Sequence, residues 1–152
     1  MKLDDTDRKL LELLQADSKK TTKEYAVFLG LSTTAVYERI KRLERTGAIR
    51  NYVALVDKVI VDKNFTVFCH LKLVQHTKDN IAQFEAQVLR LDEVVECYHL
   101  SGDYDYLLKI HVKDMDDYRN FMVNKLTAMN HIGSTQSSFT IKEVKHSTAI
   151  PL

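Results

Sequence analysis

The residues with the strongest chemical character form a run of cations. Between positions 32 and 50 the chain carries Arg39, Lys41, Arg42, Arg45 and Arg50 against only Glu38 and Glu44. A polyanion would meet that stretch first; the competing reading is a solvated helix face with no partner. A second group is the acidic loop Ser101-Gly-Asp-Tyr-Asp105. Such a turn offers backbone N–H groups to a carboxylate, while Asp103 or Asp105 pairs with an ammonium group. Alternatively the two aspartates simply build the turn.

No other set of side chains makes a site. His70, His76, His99, His111, His131 and His146 form no i, i+4 pair on a helix and have no cysteine at ligand spacing. No metal site is expected. Ser101 lacks a base at motif spacing and a nucleophile elbow, and the single Gly102 does not make a phosphate cradle of the GxGxxG kind. The sequence therefore points to no catalytic residue and no cofactor.

The bulk numbers agree with a globular binding protein. The 152 residues are 45% hydrophobic and 28% charged, as in ordinary folded domains, which argues against disorder. No apolar stretch approaches the ~20 residues of a membrane helix, and the first residues lack a signal peptide's apolar core. Cys69 and Cys97 stand far apart without a CxxC partner, so a reducing, cytoplasmic setting is expected, with both thiols acting as small hydrophobes. The net charge of +1 hides an asymmetry: residues 1–56 hold 11 Lys/Arg against 8 Asp/Glu, and the remainder holds 11 against 13.

Three helices must position the cations. The first runs from Asp4 or Asp5 to about Ala16, with acidic residues at its positive end and a Leu10, Leu11, Leu14 stripe. The second spans about Thr22 to Leu29 and turns its Tyr25, Ala26 and Leu29 inward. Gly30 follows in the turn, where a left-handed residue is needed. Ser32 caps the third helix, which runs to about Thr46 and closes on Gly47.

This is a helix-turn-helix, the arrangement that lays its second helix in the major groove; the alternative is a three-helix scaffold without a ligand. Val36, Ile40 and Leu43 define the buried face of the third helix. Ser32, Thr33, Thr34, Tyr37 and Glu38 lie near its start, where side chains reach base edges, and Lys41, Arg42 and Arg45 lie further along, where phosphates run. Residues 49–56 alternate like a strand or a short wing, which closes a first domain at 1–56. A connector, 57–64, leads to the second domain, 65–152.

In the second domain the spacing predicts strand 65–74, helix 78–91, strands 94–100 and 106–112, helix 115–129 and strand 137–144. The order βαββαβ is the ferredoxin-like α+β plan, one antiparallel sheet with both helices on one face. The other face carries Phe68, His70 and Val74, and a half-apolar open face invites pairing between copies.

The chain resembles the Lrp/AsnC, or feast/famine, family of regulators. The resemblance begins at Leu3-Asp4 and Asp7-Arg-Lys-Leu-Leu11. It continues through Gly30-Leu-Ser32, Glu38-Arg39-Ile-Lys-Arg-Leu43 and Gly47-Ala-Ile49, with Tyr52 and Ala54. In the second half it includes Glu93-Val-Val-Glu-Cys97, Ser101 to Leu108, Thr135 and Glu143-Val-Lys145.

The resemblance implies a winged helix-turn-helix that binds double-stranded DNA, followed by a ferredoxin-like (RAM-type) domain that senses a small effector. It implies dimers that associate into octamers or similar rings. It also implies an amino acid bound between dimers, against Ser101, Gly102, Asp103, Tyr104 and Asp105 together with Thr135 and Gln136. Some proteins of this plan are siroheme decarboxylases; the basic third helix favours the regulator. Three features depart from the family pattern. Lys20 replaces an apolar residue, Phe28 replaces a polar or basic one, and Met129-Asn-His-Ile132 replaces a Leu-Pro-Gly-Val-like turn.

Overall fold

The computed structural model describes residues 2–152, which fall into two compact units. One comprises the chain up to Leu55 together with Val144–Leu152; the other is Val56–Glu143. The last nine residues, expected in the second domain, thus join the helical unit, where Gln15 exchanges two hydrogen bonds with the backbone of Ile150 (2.9 and 2.7 Å). No helix among the described residues is long and apolar enough to cross a membrane.

The helical unit holds α1 (Asp5–Ala16), α2 (Thr22–Leu29) and α3 (Thr33–Arg45). Local chemistry fixes each start. Asp4 and Asp7 form a reciprocal capping box on α1, Thr21 and Glu24 form another on α2, and the Ser32 hydroxyl accepts the Ala35 N–H on α3. Gly30 and Gly47 both take left-handed backbone (φ 64° and 75°), as the turn and the end of α3 require. Leu10, Leu11, Leu14, Tyr25, Ala26, Val36 and Leu43 form the core. The expected wing is not a strand. Residues 50–56 hold no ladder, and only Ile49 turns inward, onto the helical core. Alternating residues without a pairing partner do not make a strand.

The second unit contains β1 (Phe65–Leu73), α4 (Lys78–Val88), β2 (Val94–His99), β3 (Tyr106–Val112), α5 (Met115–Phe121) and β4 (Ile132–Phe139). All pairings are antiparallel and the strand order is β2-β3-β1-β4, the ferredoxin-like sheet. Val67, Cys69, Leu71 and Leu73 of β1 alternate with Tyr106, Leu108, Ile110 and Val112 of β3 on the buried face, against Phe84, Val88, Tyr118, Phe121 and Leu126.

Several boundaries differ from expectation: α4 ends at Val88 rather than 91, and β4 ends at Phe139 rather than 144. The last helix becomes a π-helical turn at Met122–Leu126, closed by the Thr127 N–H on the Met122 carbonyl (2.9 Å). The last strand starts five residues earlier than the apolar pattern suggests. Its inward Ser137 is matched not to a hydrophobe but to the hydroxyl of Tyr118, 2.5 Å away.

Candidate functional site

The helical unit presents α3 as a two-sided rod. Val36 and Leu43 are fully buried, whereas Thr33, Thr34, Tyr37, Glu38, Lys41 and Arg45 are exposed. Ser32 is exposed too, its side chain already engaged as the cap. Lys41 sits over the Tyr37 ring (5.7 Å to the centroid) and pairs with Glu44 at 2.9 Å. Both partners of that pair keep solvent access, so it yields readily to a stronger anion. Glu44 also accepts a 3.1 Å bond from the Tyr52 hydroxyl, and burial together with that carboxylate pushes Tyr52 up to about 12.

Arg42 is placed differently from its expected phosphate-facing role. Its Nη2 lies 2.5 Å from Oδ1 of Asp7, a carboxylate only 1% exposed. Arg39 reaches the same oxygen at 2.7 Å and Asp4 at 2.8 Å. The bond to Arg39, then the Asp7 N–H, holds the Asp4 carboxyl below its usual range. This four-residue cluster was not foreseen. Its carboxylates lie 32 to 35 positions from the arginines they bind, and in the sequence the acidic start of α1 reads only as a match to the helix dipole.

In the second unit the loop after β2 is exposed at Ser101, Gly102 and Asp103, then turns inward. Tyr104 donates to Gln136 Oε1 at 2.6 Å and packs its ring against His70, 5.1 Å between centroids. Loop and last strand therefore meet, as the expected effector set requires. Thr135 does not join them. Register pairs it with Leu71, on the helix-covered face, while Gln136 pairs with His70 on the open face.

Asp105 also departs from expectation. Its Oδ2 accepts the Leu73 N–H (2.7 Å) and its Oδ1 lies 2.7 Å from His76 Nε2. Burial pushes the Asp105 carboxyl up, but those two donors outweigh it and the group lies below the usual carboxylate range. Asp105 therefore splices the loop to the end of β1, leaving Asp103 as the exposed carboxylate. His131, in the segment that departs from the family turn, holds a positive φ of 80°, and its carbonyl accepts the Val74 N–H. A histidine thus occupies a conformation suited to glycine.

Of the other departures, Lys20 turns outward onto Asp17 (2.7 Å), and Phe28 is 63% exposed. Among the described residues no group of three or more His, Cys, Asp or Glu side chains could hold a metal ion.

Comparison with known proteins covers almost the whole chain. Residues 3–44 match the AsnC-type helix-turn-helix domain and residues 66–150 the Lrp/AsnC ligand binding domain. The leucine-responsive regulatory protein of Salmonella typhimurium is 38% identical over 148 residues, 97% of this chain and 90% of that protein. The glutamate uptake regulatory protein of Zymomonas mobilis is 38% identical over 151 residues, 99% and 92% of the two chains. Among solved structures, a transcriptional regulator from Neisseria meningitidis in complex with L-Met superposes with a TM-score of 0.94 at 34% identity, covering 99% of this chain and 97% of that one. An AsnC family transcriptional regulator from Agrobacterium tumefaciens gives 0.94 at 37% identity, with 98% and 97% covered.

Proposed function

The chain belongs to the Lrp/AsnC family, and from that premise we propose that it is a non-enzymatic transcription regulator whose hold on DNA responds to an amino acid. The observation that carries this reading is α3. A capped helix buries Val36 and Leu43 and turns Thr33, Thr34, Tyr37 and Glu38 outward beside Lys41 and Arg45. Hydroxyls, a phenol and a carboxylate near the helix start suit base edges, and cations further along suit phosphates. Ser32 serves by fixing where the helix begins.

The effector site is assigned to Ser101, Gly102, Asp103, Tyr104 and Gln136. Backbone donors around Gly102 suit a carboxylate and Asp103 an ammonium group. Asp105 shapes the loop from behind. An amino acid is the ligand class that supplies both charges, in keeping with the L-Met named for the Neisseria relative. The sheet's open face, with Phe68, His70 and Leu107 half-buried, supports pairing of copies into dimers and higher assemblies that present two helix-turn-helix units to a two-fold operator.

An effector alters DNA binding only by preferring one state, and a preference of ~1–3 kcal/mol shifts affinity ~5–150-fold. The test is selection of bound genomic fragments with and without each of the twenty amino acids. A fragment set that at least one amino acid enriches or releases supports the reading. No fragment retained under any condition would refute it.

A further inference from the structure

Asp7 is a carboxylate with a 1% exposed side chain, and it draws two guanidinium groups from the helix assigned to DNA. Its Oδ1 receives Arg42 Nη2 and Arg39 Nη1, and its Oδ2 accepts the Asp4 N–H at 3.2 Å. Asp4 takes Arg39 a second time, so two carboxylates and two guanidinium groups close into a neutral cluster. A carboxylate this deeply placed must keep its cations, because an unpaired buried charge costs more than a surface contact returns. Arg42 accordingly turns its guanidinium onto Asp7, although its side chain as a whole stays 40% exposed. Its Nε is buried without a hydrogen-bond partner among the described residues. Lys41, one position earlier, keeps a 52% exposed side chain.

We propose that Asp7 is a positioning residue of the DNA interface, an internal phosphate mimic that clamps α3 by Arg39 and Arg42 and withholds Arg42 from the nucleic acid. The clamp grips α3 at two positions one turn apart, beside the buried Leu43, and so fixes how the helix is rolled. It also subtracts positive charge from the surface. Phosphate attraction is independent of sequence, so each cation withheld lowers non-specific binding without touching base-edge contacts. The inference rests on the assignment of α3 to DNA, and its experiment separates the two.

The experiment measures binding of the full chain to a mixed-sequence duplex across a salt series, for wild type, Asp7→Asn, Arg42→Gln, Lys41→Gln and Arg45→Gln. Asparagine keeps an oxygen for the Asp4 N–H, so the helix cap survives while the charge is lost; circular dichroism checks the fold. Each phosphate contact contributes about 0.9 to the slope of log affinity on log salt. Lys41→Gln and Arg45→Gln should each lower the slope by about 0.9. Arg42→Gln should weaken binding with the slope unchanged, and Asp7→Asn should steepen it by about 0.9 as Arg42 is released to a phosphate.

A folded Asp7→Asn protein with an unchanged slope overturns the proposal, as does a slope reduced by about 0.9 in Arg42→Gln. If Asp7→Asn does not fold, the Arg42→Gln slope decides by itself. Unchanged slopes in Lys41→Gln and Arg45→Gln would instead remove α3 from the interface.

Discussion

The two units solve the problem of holding a polar working surface in different ways. Among the described residues the sheet unit has thirteen buried apolar core residues, and it fixes its strands by ladder and packing. The helical unit that holds α3 has seven among those residues, supplemented by the buried carboxylate of Asp7 and its two arginines. A small core rolls a helix less firmly than a large one, and the ion cluster adds direction where apolar contact is non-directional. The larger unit also carries ion pairs, Lys109–Glu96 at 2.9 Å and Lys125–Glu93 at 2.5 Å, but Lys109 (12% exposed) and Glu93 (17%) each meet one partner and neither lies as deep as Asp7 (1%).

Substitutions sharpen the contrast. Leu108 is fully buried at the centre of β3, and Leu108→Ala should cost about 3–5 kcal/mol. Hydrogen exchange should then show loss of protection through all four strands with α1–α3 retained. Equal loss in both units would mean that they share one cooperative core. Asp7→Ala should cost the helical unit about 2–3 kcal/mol, less than a fully buried pair because both arginines keep partial access to water. Urea denaturation followed by α1–α3 exchange tests this, and a cost below about 0.5 kcal/mol would reduce the cluster to a surface ornament.

His131→Gly should act in the opposite direction. The left-handed position costs a side chain about 1–2 kcal/mol, and the greater freedom of unfolded glycine returns about half of it. A net gain of about 0.5–1 kcal/mol in thermal denaturation is expected; destabilisation would mean that the His131 side chain contributes more than its backbone strain removes.

The smallest effect is one of pH. Burial, then Lys58 and Lys109, hold His111 below its ordinary value, against the opposing pull of Glu143 and Glu96. The folded state therefore binds fewer protons than the unfolded one around the ordinary histidine value. The stability this contributes is full above that value and is lost as pH falls through it towards the folded one. Denaturation midpoints of the sheet unit should decline from pH 7 to 5, and His111→Gln should flatten the decline. An identical profile in the variant would assign it to other groups.

What was legible in the sequence follows the same division. α1, α2 and α3 were readable because leucine spacing, Ser32, Gly30 and Gly47 all mark the same boundaries. The strand alternation of Phe65–Leu73 and Tyr106–Val112 was equally plain. β4 was not, because its inward Thr135 and Ser137 are polar, and the Tyr118 hydroxyl that meets Ser137 lies on a separate helix. The π-turn kept helical apolar spacing through Met122 and Leu126 and so concealed the end of α5.

Residue type and spacing placed the exposed set on α3, and the family resemblance alone brought Gln136 together with the 101–105 loop. Neither could show that Arg42 and Asp105 are occupied, because their partners are distant in sequence: Asp7 for Arg42, Leu73 and His76 for Asp105.

α3 is the element proposed to meet DNA. The decisive measurement is the salt dependence of duplex binding by the double variant Lys41→Gln/Arg45→Gln, with circular dichroism confirming the fold. Two lost phosphate contacts predict a slope shallower by about 1.8 and weaker binding to every sequence tried. Binding and slope both equal to wild type would contradict it.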